Sequence, residues 1–268
     1  MKLKLWQVDA FARQPFEGNA AAVVPLEAWL DAPLMQKIAN ENNLAETAFF
    51  VRKAKGRYAL RWFTPTVEID LCGHATLASA WLTFYKLDPE LNCVSFETRS
   101  GVLTVERGDD ARHIMMLPSD ALVSYLPSAD YAQQIAAALV TRAPVEILKG
   151  NNIVAVFERA ADIRAIRGVG NIADVIPSDK GLIATAPGDA GYDFVSRYFA
   201  PHHGIAEDPV TGSAHCALTP YWSKRLGKKT MSARQVSARG GDLLCTDAGE
   251  MTMLAGHCAL YMTAEIDI

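Results

Sequence analysis

The pattern of apolar and polar positions along the chain predicts a mixture of strands and helices. Residues 2–10 alternate in polarity and are rich in large apolar side chains, which is typical of a β-strand. Two later segments, residues 75–87 and about 214–222, are apolar on almost every side of a helix. Because a helix without a polar face must be buried, these segments predict two buried helices, one in each half of the chain.

Capping residues and shorter patterns mark the smaller elements. Asp31 predicts the N-cap of a helix that runs to about Asn40, and Ser128 is predicted to cap a helix that ends near Leu139. Residues 161–166 predict a short helix. Further predicted strands cover residues 20–24, 48–51, 57–63, 94–96, 102–106, 113–117, 145–148, 153–157, 181–186, 192–199, 235–238, 242–246 and 259–268.

The two halves of the chain share one order of landmarks. In the first half Phe63-Thr64-Pro65 leads through an acidic loop to Cys72-Gly73 and the buried helix. In the second half Phe199-Ala200-Pro201 leads through another acidic loop to Thr211-Gly212 and the other buried helix. The Phe-x-Pro segments are 136 positions apart and the glycines are 139 apart. This repeat predicts two similar domains, with a linker that begins at Pro118.

The composition excludes several classes of protein. The 268 residues are 50% hydrophobic and include 26 Lys and Arg against 30 Asp and Glu, a formal net charge of −4. Intrinsically disordered chains are poorer in apolar residues, and a nearly neutral chain has no general attraction for nucleic acid or anionic membranes. No run approaches the ~20 apolar residues that span a bilayer. The five scattered cysteines form no CxxC pair, which favours reduced thiols in a cytoplasmic protein.

Glycines at the starts of the two buried helices are candidates for anion binding. The first N–H groups of a helix have no partner within the helix and lie at the positive end of its dipole. Gly73 and Gly212 would let a carboxylate or phosphate approach these groups closely. We therefore expect a small anionic substrate, most simply a carboxylate, although ordinary tight turns explain the two glycines about equally well.

Four side chains near these positions are candidates for catalysis or binding. Glu46 precedes an apolar strand, and burial there would raise its pKa and suit it to accept and return a proton. His74, directly at the helix start, can donate to a substrate oxygen or relay a proton. Asp208 precedes Pro209 and can orient His74 or accept from a substrate amine or hydroxyl, and Ser213 can bind a carboxylate. The residues alone favour a strand-edge or capping role for Glu46, and they also allow a capping His, an Asx turn and a capping Ser.

Sequence motifs give no support for a metal or a cofactor. His202 and His203 are adjacent, and His215 has no partners at zinc-ligand spacing. The glycines form neither GxGxxG nor GxxxxGK[ST], and no lysine motif indicates pyridoxal phosphate. The simplest expectation is a reaction without metal or cofactor.

Four blocks along the chain resemble the signatures of one family. They are Phe16-x-Gly18-Asn19-x-Ala21-Ala22-Val23-Val24, Asn43-Leu44-x-Glu46-Thr47, Cys72-Gly73-His74-Ala75-Thr76 and Glu207-Asp208-Pro209-Val210-Thr211-Gly212-Ser213-Ala214-His215. In this order, over nearly the whole chain, they resemble the PhzF family of phenazine-biosynthesis-like isomerases. The resemblance implies an α+β protein of the diaminopimelate-epimerase-like fold. Such a protein has two similar pseudo-symmetric domains, each a curved mixed sheet around a central apolar helix, with a cleft between them.

The resemblance also implies an arrangement of domains and an assembly. Residues 1–118 are expected to form the N-terminal domain, joined by the final strand over residues 259–268. Residues 119–258 are expected to form the C-terminal domain. The family commonly forms homodimers, so a homodimer is expected, with a small anionic substrate and with neither nucleic acid nor membrane as a partner.

The roles of individual residues follow from the resemblance, position by position. The phenazine enzyme isomerises a dihydro-hydroxyanthranilate without a cofactor, and Glu46 matches its acid/base, which moves a proton between ring carbons. His74 and Asp208 match residues that hold the substrate and assist the transfer. The residues expected to bind the substrate are Asn19, Gly73, Ala75, Gly212 and Ser213.

Two alternatives to a carboxylate-based isomerase remain at this point. Related epimerases and racemases on this fold use two thiols, one Cys-Gly in each half of the chain. Here Cys72-Gly73 is present, but the second half has Thr211-Gly212. A threonine hydroxyl is far too weak an acid to replace a thiol, which disfavours the two-thiol reaction. The other alternative is a protein that binds a small molecule without converting it.

Overall fold

The computed structural model describes residues 1–167 and 171–268, which form two units, each with a mixed sheet. Unit 1 comprises Met1–Met116 and Leu254–Ile268, and unit 2 comprises Leu117–Met253. The chain passes into unit 2 within its eighth strand and returns within its seventeenth.

The elements of the first part of the chain are β1 (Lys2–Ala10), β2 (Asn19–Leu26), α1 (Ala32–Asn42), β3 (Glu46–Ala54), β4 (Arg57–Phe63), β5 (Glu68–Ile69), α2 (Gly73–Leu82), β6 (Cys93–Thr98), β7 (Gly101–Arg107) and β8 (His113–Pro118). A π-helical turn over Thr83–Leu87 extends α2, and Asp109–Ala111 forms a 3₁₀ turn.

The later elements are β9 (Val123–Ser124), α3 (Tyr131–Leu139), β10 (Glu146–Lys149), β11 (Ile153–Val156), α4 (Ala160–Arg164), α5 (Ile172–Val175), β12 (Leu182–Pro187), β13 (Phe194–Ala200), β14 (Ile205–Asp208), α6 (Gly212–Leu226), β15 (Thr230–Gln235), β16 (Gly241–Asp247), β17 (Met251–Gly256) and β18 (Cys258–Asp267). Pro201–His203 forms a 3₁₀ turn. No helix in the described ranges is both long enough and apolar enough to cross a bilayer.

The sheet of unit 1 combines parallel and antiparallel pairs. Strand β1 lies antiparallel between β2 and the last strand, β18. Strands β2 and β3 run parallel, with Ala21 opposite Glu46, and β4 pairs parallel with β6. The pairs β3–β4, β6–β7 and β7–β8 are antiparallel. The predicted α+β class is confirmed.

Helix α2 is buried along most of its length against the strands of unit 1. It packs against β1, β2, β3 and β7. Its hydroxyl side chains bond back to carbonyls one turn earlier: Thr76 Oγ1 donates to Cys72 O at 2.6 Å and Ser79 Oγ to Ala75 O at 2.7 Å. Because these hydroxyls are satisfied within the helix, burial costs them no hydrogen bond. The predicted buried helix is confirmed, with its start at Gly73 rather than at residue 75.

The sheet of unit 2 is also mixed, and α6 packs against β15 and β16. Strand β13 pairs antiparallel with β12 and parallel with β15, and β11 pairs parallel with β12. Helix α6 continues through Pro220 to Leu226, beyond the predicted end at residue 222. A proline cannot donate to the carbonyl four residues earlier. Here that carbonyl, Cys216 O, accepts the backbone N–H of Asp120 at 3.1 Å, which compensates for the missing bond.

The structure corrects two predictions for unit 2 and shows a strand that was not predicted. Helix α3 is preceded by Asp130, and the hydroxyl of Ser128 donates to Asp130 Oδ1 at 2.6 Å instead of capping the helix. The strand predicted over residues 235–238 instead covers Thr230–Gln235, with Met231, Ala233 and Gln235 buried. Since one of its three buried positions is a glutamine, the strand lacks the clear apolar alternation by which strands are predicted. Strand β17 was not predicted.

Candidate functional site

The two long apolar helices start in the same way. The residue before each helix is extended: Cys72 has φ −145° and ψ 109°, and Thr211 has φ −119° and ψ 106°. Neither side chain bonds to the first turn of its helix. The carbonyl of each instead accepts from a side chain four residues later, Thr76 Oγ1 at 2.6 Å and His215 Nδ1 at 2.8 Å. Both helix N-termini therefore lack a side-chain cap and keep N–H groups for an anion.

A bidentate ion pair precedes each of these helix starts. In unit 1 the guanidinium of Arg61 donates to both oxygens of Glu68 at 2.7 and 2.8 Å. In unit 2 Arg197 donates to both oxygens of Glu207 at 2.7 Å. Each pair ties the strand before the Phe-x-Pro segment to the acidic loop after it. These pairs were not predicted from the sequence, although each Phe-x-Pro is preceded two positions earlier by an arginine.

In unit 1, the starts of three elements bring polar side chains together. Asn19 is the first residue of β2, Glu46 is the first residue of β3, and His74 is the second residue of α2. Strands β2 and β3 are parallel neighbours, so their starting residues lie at the same edge of the sheet. All three side chains are buried.

The turn before Asn19 depends on a glycine. Gly18 has φ +64°, and a Cβ there would lie 2.1 Å from Ala10 O, so only glycine fits. The carboxylate of Asp9 accepts the backbone N–H of Phe16 at 3.0 Å across the same turn. These contacts fix the direction in which the chain enters β2, and thereby the position of Asn19.

The imidazole of His74 has partners on both of its nitrogens. Nε2 lies 2.9 Å from Glu46 Oε2, while Nδ1 lies 3.4 Å from Asn19 Nδ2 and 3.5 Å from Cys72 Sγ. The Nε2–Oε2 contact has the distance of an ion pair, but its angles are not those of a hydrogen bond. An amide can offer its N–H or its oxygen to Nδ1, so Asn19 suits either protonation state of the ring.

Burial and neighbouring groups shift the pKa of His74 in opposite directions and the pKa of Cys72 in the same direction. Burial alone would lower the pKa of His74, but its interactions with Cys72 and Glu46 outweigh burial and hold that pKa well above the usual 6.5. Burial, reinforced by the charge of Glu46, raises the pKa of the Cys72 thiol. Since the thiol stays protonated, the Glu46 carboxylate is the negative partner that keeps His74 charged.

This arrangement predicts a pH-dependent contribution to stability. A pKa raised by folding adds stability that is fully present below the unfolded value, near 6.5, and is lost as pH rises through the folded value. We expect the difference in unfolding free energy between wild type and His74→Gln to be largest near pH 6 and to shrink toward pH 9. Urea denaturation across that range measures it. The same comparison in a Glu46→Gln background should be nearly flat, and a difference that grows with pH would contradict the assignment.

In unit 2, Asp208, Thr211, Gly212 and Ser213 lie on the loop and first turn at the start of α6. The hydroxyl of Thr211 donates to the carboxylate of Asp208. Asp208 is half-buried, Gly212 is buried and Ser213 is exposed. The side-chain amide of the buried Gln235 bonds to the backbone at both ends of this loop. Sequence analysis treated Gln235 only as a strand residue.

One expected binding residue is restricted by its surroundings. Ala75 is fully buried within α2, so its methyl group cannot meet a ligand from solvent. Any contribution of Ala75 to binding must come from its backbone N–H in the first turn.

The cluster in unit 1 also contains ligand types that metals accept. One ligand atom from each of Glu46, Cys72 and His74 lies within 4.8 Å of the other two. Glu46 and Cys72, however, face different nitrogens of the His74 ring. A single ion coordinated by one nitrogen would require one of these side chains to move.

A cavity of about 520 Å³ lies at the opposite end of α6. Its lining includes Glu146, Tyr221 and Arg225, with Tyr221 Oη donating to Glu146 Oε2 at 2.7 Å. None of residues 208–213 lines it. We base the candidate site on the chemistry of the helix starts, not on this cavity.

Comparisons with known proteins agree with the fold. The PhzC-PhzF family model, described as phenazine biosynthesis-like protein, matches residues 8–264. A Pseudomonas aeruginosa protein named an uncharacterized isomerase is 46% identical over 277 residues, covering 100% of both chains. The crystal structure of a PhzF-family phenazine biosynthesis protein from Enterococcus faecalis is 40% identical, with a TM-score of 0.91 over 100% of both chains.

A more distant structure shares the fold alone. A hydroxyproline epimerase from Agrobacterium vitis, solved with bound trans-4-hydroxy-L-proline, is 10% identical, with a TM-score of 0.61 over 99% of this chain and 92% of that one. The predicted epimerase-like fold is confirmed. With a family match over nearly its whole length, the chain belongs to the PhzC-PhzF family of phenazine biosynthesis-like proteins.

Proposed function

We propose that this protein is a cofactor-independent isomerase that moves a proton on a small carboxylate-bearing metabolite, with Glu46 as the shuttling acid/base. Its family and its relatives named as isomerases make it an enzyme of the isomerase or epimerase type. The observation that carries the finer proposal is the buried contact of 2.9 Å between His74 Nε2 and Glu46 Oε2 beside the uncapped start of α2.

The proposed reaction needs one carboxylate. Glu46 accepts a proton from a carbon of the substrate, and the electron pair of that C–H bond moves into the conjugated system of the substrate. The protonated Glu46 then returns the proton to a second carbon, which restores the carboxylate. A charged His74 favours the carboxylate form of Glu46 before the first step and after the second, and the proton that Glu46 holds between the steps exchanges with solvent.

The substrate carboxylate is assigned to helix N-termini. The first N–H groups of α2, from Gly73 onward, have no side-chain cap to compete with an anion. The start of α6 has the same property, and the family resemblance assigns Gly212, Ser213 and Asp208 to polar groups of the substrate. Asn19 orients His74 through Nδ1.

Two features argue against a two-thiol epimerase. A raised pKa makes Cys72 a thiol rather than the thiolate that such a reaction needs. The corresponding position in unit 2 is Thr211, whose hydroxyl donates to Asp208. Removal of the proton from the substrate carbon is therefore assigned to Glu46.

Cys72→Ser is expected to be nearly silent. The serine hydroxyl keeps a small polar group beside His74 Nδ1, and the proposed reaction uses no thiolate, so turnover should stay within about threefold of wild type. Steady-state turnover of dihydro-hydroxyanthranilate provides the measurement, with Cys216→Ser as a buried-thiol control in unit 2. Complete loss of activity in Cys72→Ser alone would restore the thiol mechanism.

The function itself is tested by isotope exchange in the unmodified protein. Dihydro-hydroxyanthranilate and a panel of small carboxylates with an acidic C–H bond are incubated with the protein in D₂O and followed by NMR. We expect deuterium to enter at least one of them at two carbons of a shared conjugated system. A carboxylate that binds but never exchanges would point to a binding protein.

A further inference from the structure

The loop before α6 is held by one buried side chain. Three residues, Pro209 to Thr211, connect the end of β14 at Asp208 to α6, and the amide of Gln235 bonds to the backbone of Asp208 and Thr211 at the two ends of this loop. The geometry points to Gln235 as a positioning residue that holds Asp208 and the N-terminus of α6 in the shape that binds substrate. This inference rests on the proposed function, since it concerns residues assigned there to substrate binding.

The contacts of Gln235 use both the acceptor and the donor of its amide. Oε1 accepts the backbone N–H of Thr211 at 2.9 Å, and Nε2 donates to the carbonyl of Asp208 at 2.7 Å. Nε2 also lies 3.3 Å from Thr211 Oγ1. Gln235 is fully buried, so water cannot replace these bonds without a local opening of the structure.

The position of Gln235 is itself rigid. It is the last residue of β15, opposite Gly241 in β16 and opposite Ser196 in the parallel neighbour β13. A side chain that starts between two paired strands has little freedom, so the amide arrives at the loop in one orientation. The hydroxyl of Ser237 adds a bond to Pro209 O at 2.7 Å, two residues further along the chain.

The same network explains why Thr211 does not cap α6. A threonine before a helix commonly accepts an N–H of the first turn through its hydroxyl. Here the hydroxyl donates to the Asp208 carboxylate, while the Thr211 backbone N–H is occupied by Gln235 Oε1. The first turn of α6 thus keeps its N–H groups available, and the Asp208 carboxylate is fixed at the helix start.

Only an amide provides this combination at position 235. Methionine has nearly the same length but bonds to neither backbone group. Glutamate keeps an acceptor for the Thr211 N–H but has no donor for the Asp208 carbonyl, and its charge would face the Asp208 carboxylate. Gln235→Glu therefore removes one of the two backbone bonds, and Gln235→Met removes both.

Amide hydrogen exchange tests the positioning without any ligand. We expect the Thr211 amide and its neighbours in residues 208–214 to exchange about tenfold faster or more in Gln235→Met, with a smaller effect in Gln235→Glu. Thr185→Val is the matched control in unit 2: it is also fully buried and loses bonds to Val195 O and Trp222 Nε1. The control should leave exchange in residues 208–214 at the wild-type rate. If exchange in residues 208–214 accelerated equally in Gln235→Met and Thr185→Val, Gln235 would only stabilise the fold in general, and the inference would be overturned.

Kinetics with dihydro-hydroxyanthranilate separate positioning from loss of folded protein. A misplaced binding loop should raise KM about tenfold in Gln235→Met while kcat stays within about threefold, since Glu46 is untouched. A fall in kcat with KM unchanged would contradict the inference, because that pattern reports a smaller fraction of active protein. If Glu46→Gln retained full activity, the proposed function would fail, yet the exchange result in residues 208–214 would still stand or fall on its own.

Discussion

Replacement of Glu46 by glutamine is expected to slow the isomerisation by about 10²- to 10⁴-fold, the usual contribution of a general acid/base. Glutamine keeps the size of the side chain and can still contact His74, but it cannot accept a proton from carbon. Glu46 supplies the carboxylate of the buried cluster of Glu46, Cys72 and His74, so the glutamine variant leaves this cluster without a carboxylate. Turnover of dihydro-hydroxyanthranilate under saturating conditions measures the loss.

Two companion measurements make the Glu46 result specific. Glu46→Asp keeps the carboxylate but withdraws it by one methylene, so it should retain more activity than the glutamine variant. Thermal unfolding of Glu46→Gln should confirm that the protein is folded. A glutamine variant within about threefold of the wild-type rate would remove Glu46 from the mechanism.

Arg197→Met is expected to lower the free energy of unfolding by about 3–5 kcal/mol, the usual cost of leaving one partner of a buried ion pair alone. The side chains of Arg197 and Glu207 are only 13% and 21% exposed, and both guanidinium–carboxylate bonds are 2.7 Å. Arg197 also donates to Ile166 O at 2.9 Å, which the methionine cannot do. Urea denaturation measures the change.

The internal repeat supplies a matched control for this prediction. Arg61→Met breaks the corresponding pair in unit 1, but Glu68 keeps a second guanidinium, Arg99, at 2.8 Å. We therefore expect Arg61→Met to cost clearly less than Arg197→Met. Replacing Arg197 and Glu207 together should recover part of the loss, because no uncompensated charge remains buried. Equal losses for the two arginine variants would contradict this account.

Elements with a strong local pattern could be predicted from the sequence. Strand β1 was predicted at its observed bounds because alternation and large apolar residues coincide there. The start of α1 was predicted from Asp31, whose Oδ1 accepts the N–H of Leu34 at 2.7 Å. Helices α2 and α6 were predicted from their uniform apolarity. The predicted end of α6 was too early, because its last turn, beyond Pro220, is polar on most sides.

Features that depend on distant partners could not be predicted in this way. Asp120 satisfies the carbonyl that Pro220 leaves free, and nothing in the sequence near Pro220 indicates a residue so far away. Gln235 is similar: a polar residue at the end of a strand looks exposed until the loop that it bonds is placed beside it. Side-chain bonds over long separations depend on the pairing of strands, which local periodicity does not specify.

The candidate site shows the same division. The motif around Glu46 and the motif around His74 were each recognisable, and the resemblance assigned both a role. Their contact, however, depends on the parallel register of β2 and β3 and on the packing of α2 against those strands. Composition and spacing alone favoured a strand-edge or capping role for Glu46, and only the folded arrangement shows which side chain it faces.

The central claim is that one buried carboxylate, and not a thiol, moves the proton. Its most direct test is the rate at which deuterium from D₂O enters dihydro-hydroxyanthranilate, measured in parallel for wild type, Glu46→Gln and Cys72→Ser. We expect incorporation to vanish in Glu46→Gln and to continue at close to the wild-type rate in Cys72→Ser. Incorporation at the wild-type rate in Glu46→Gln, together with its loss in Cys72→Ser, would contradict the claim.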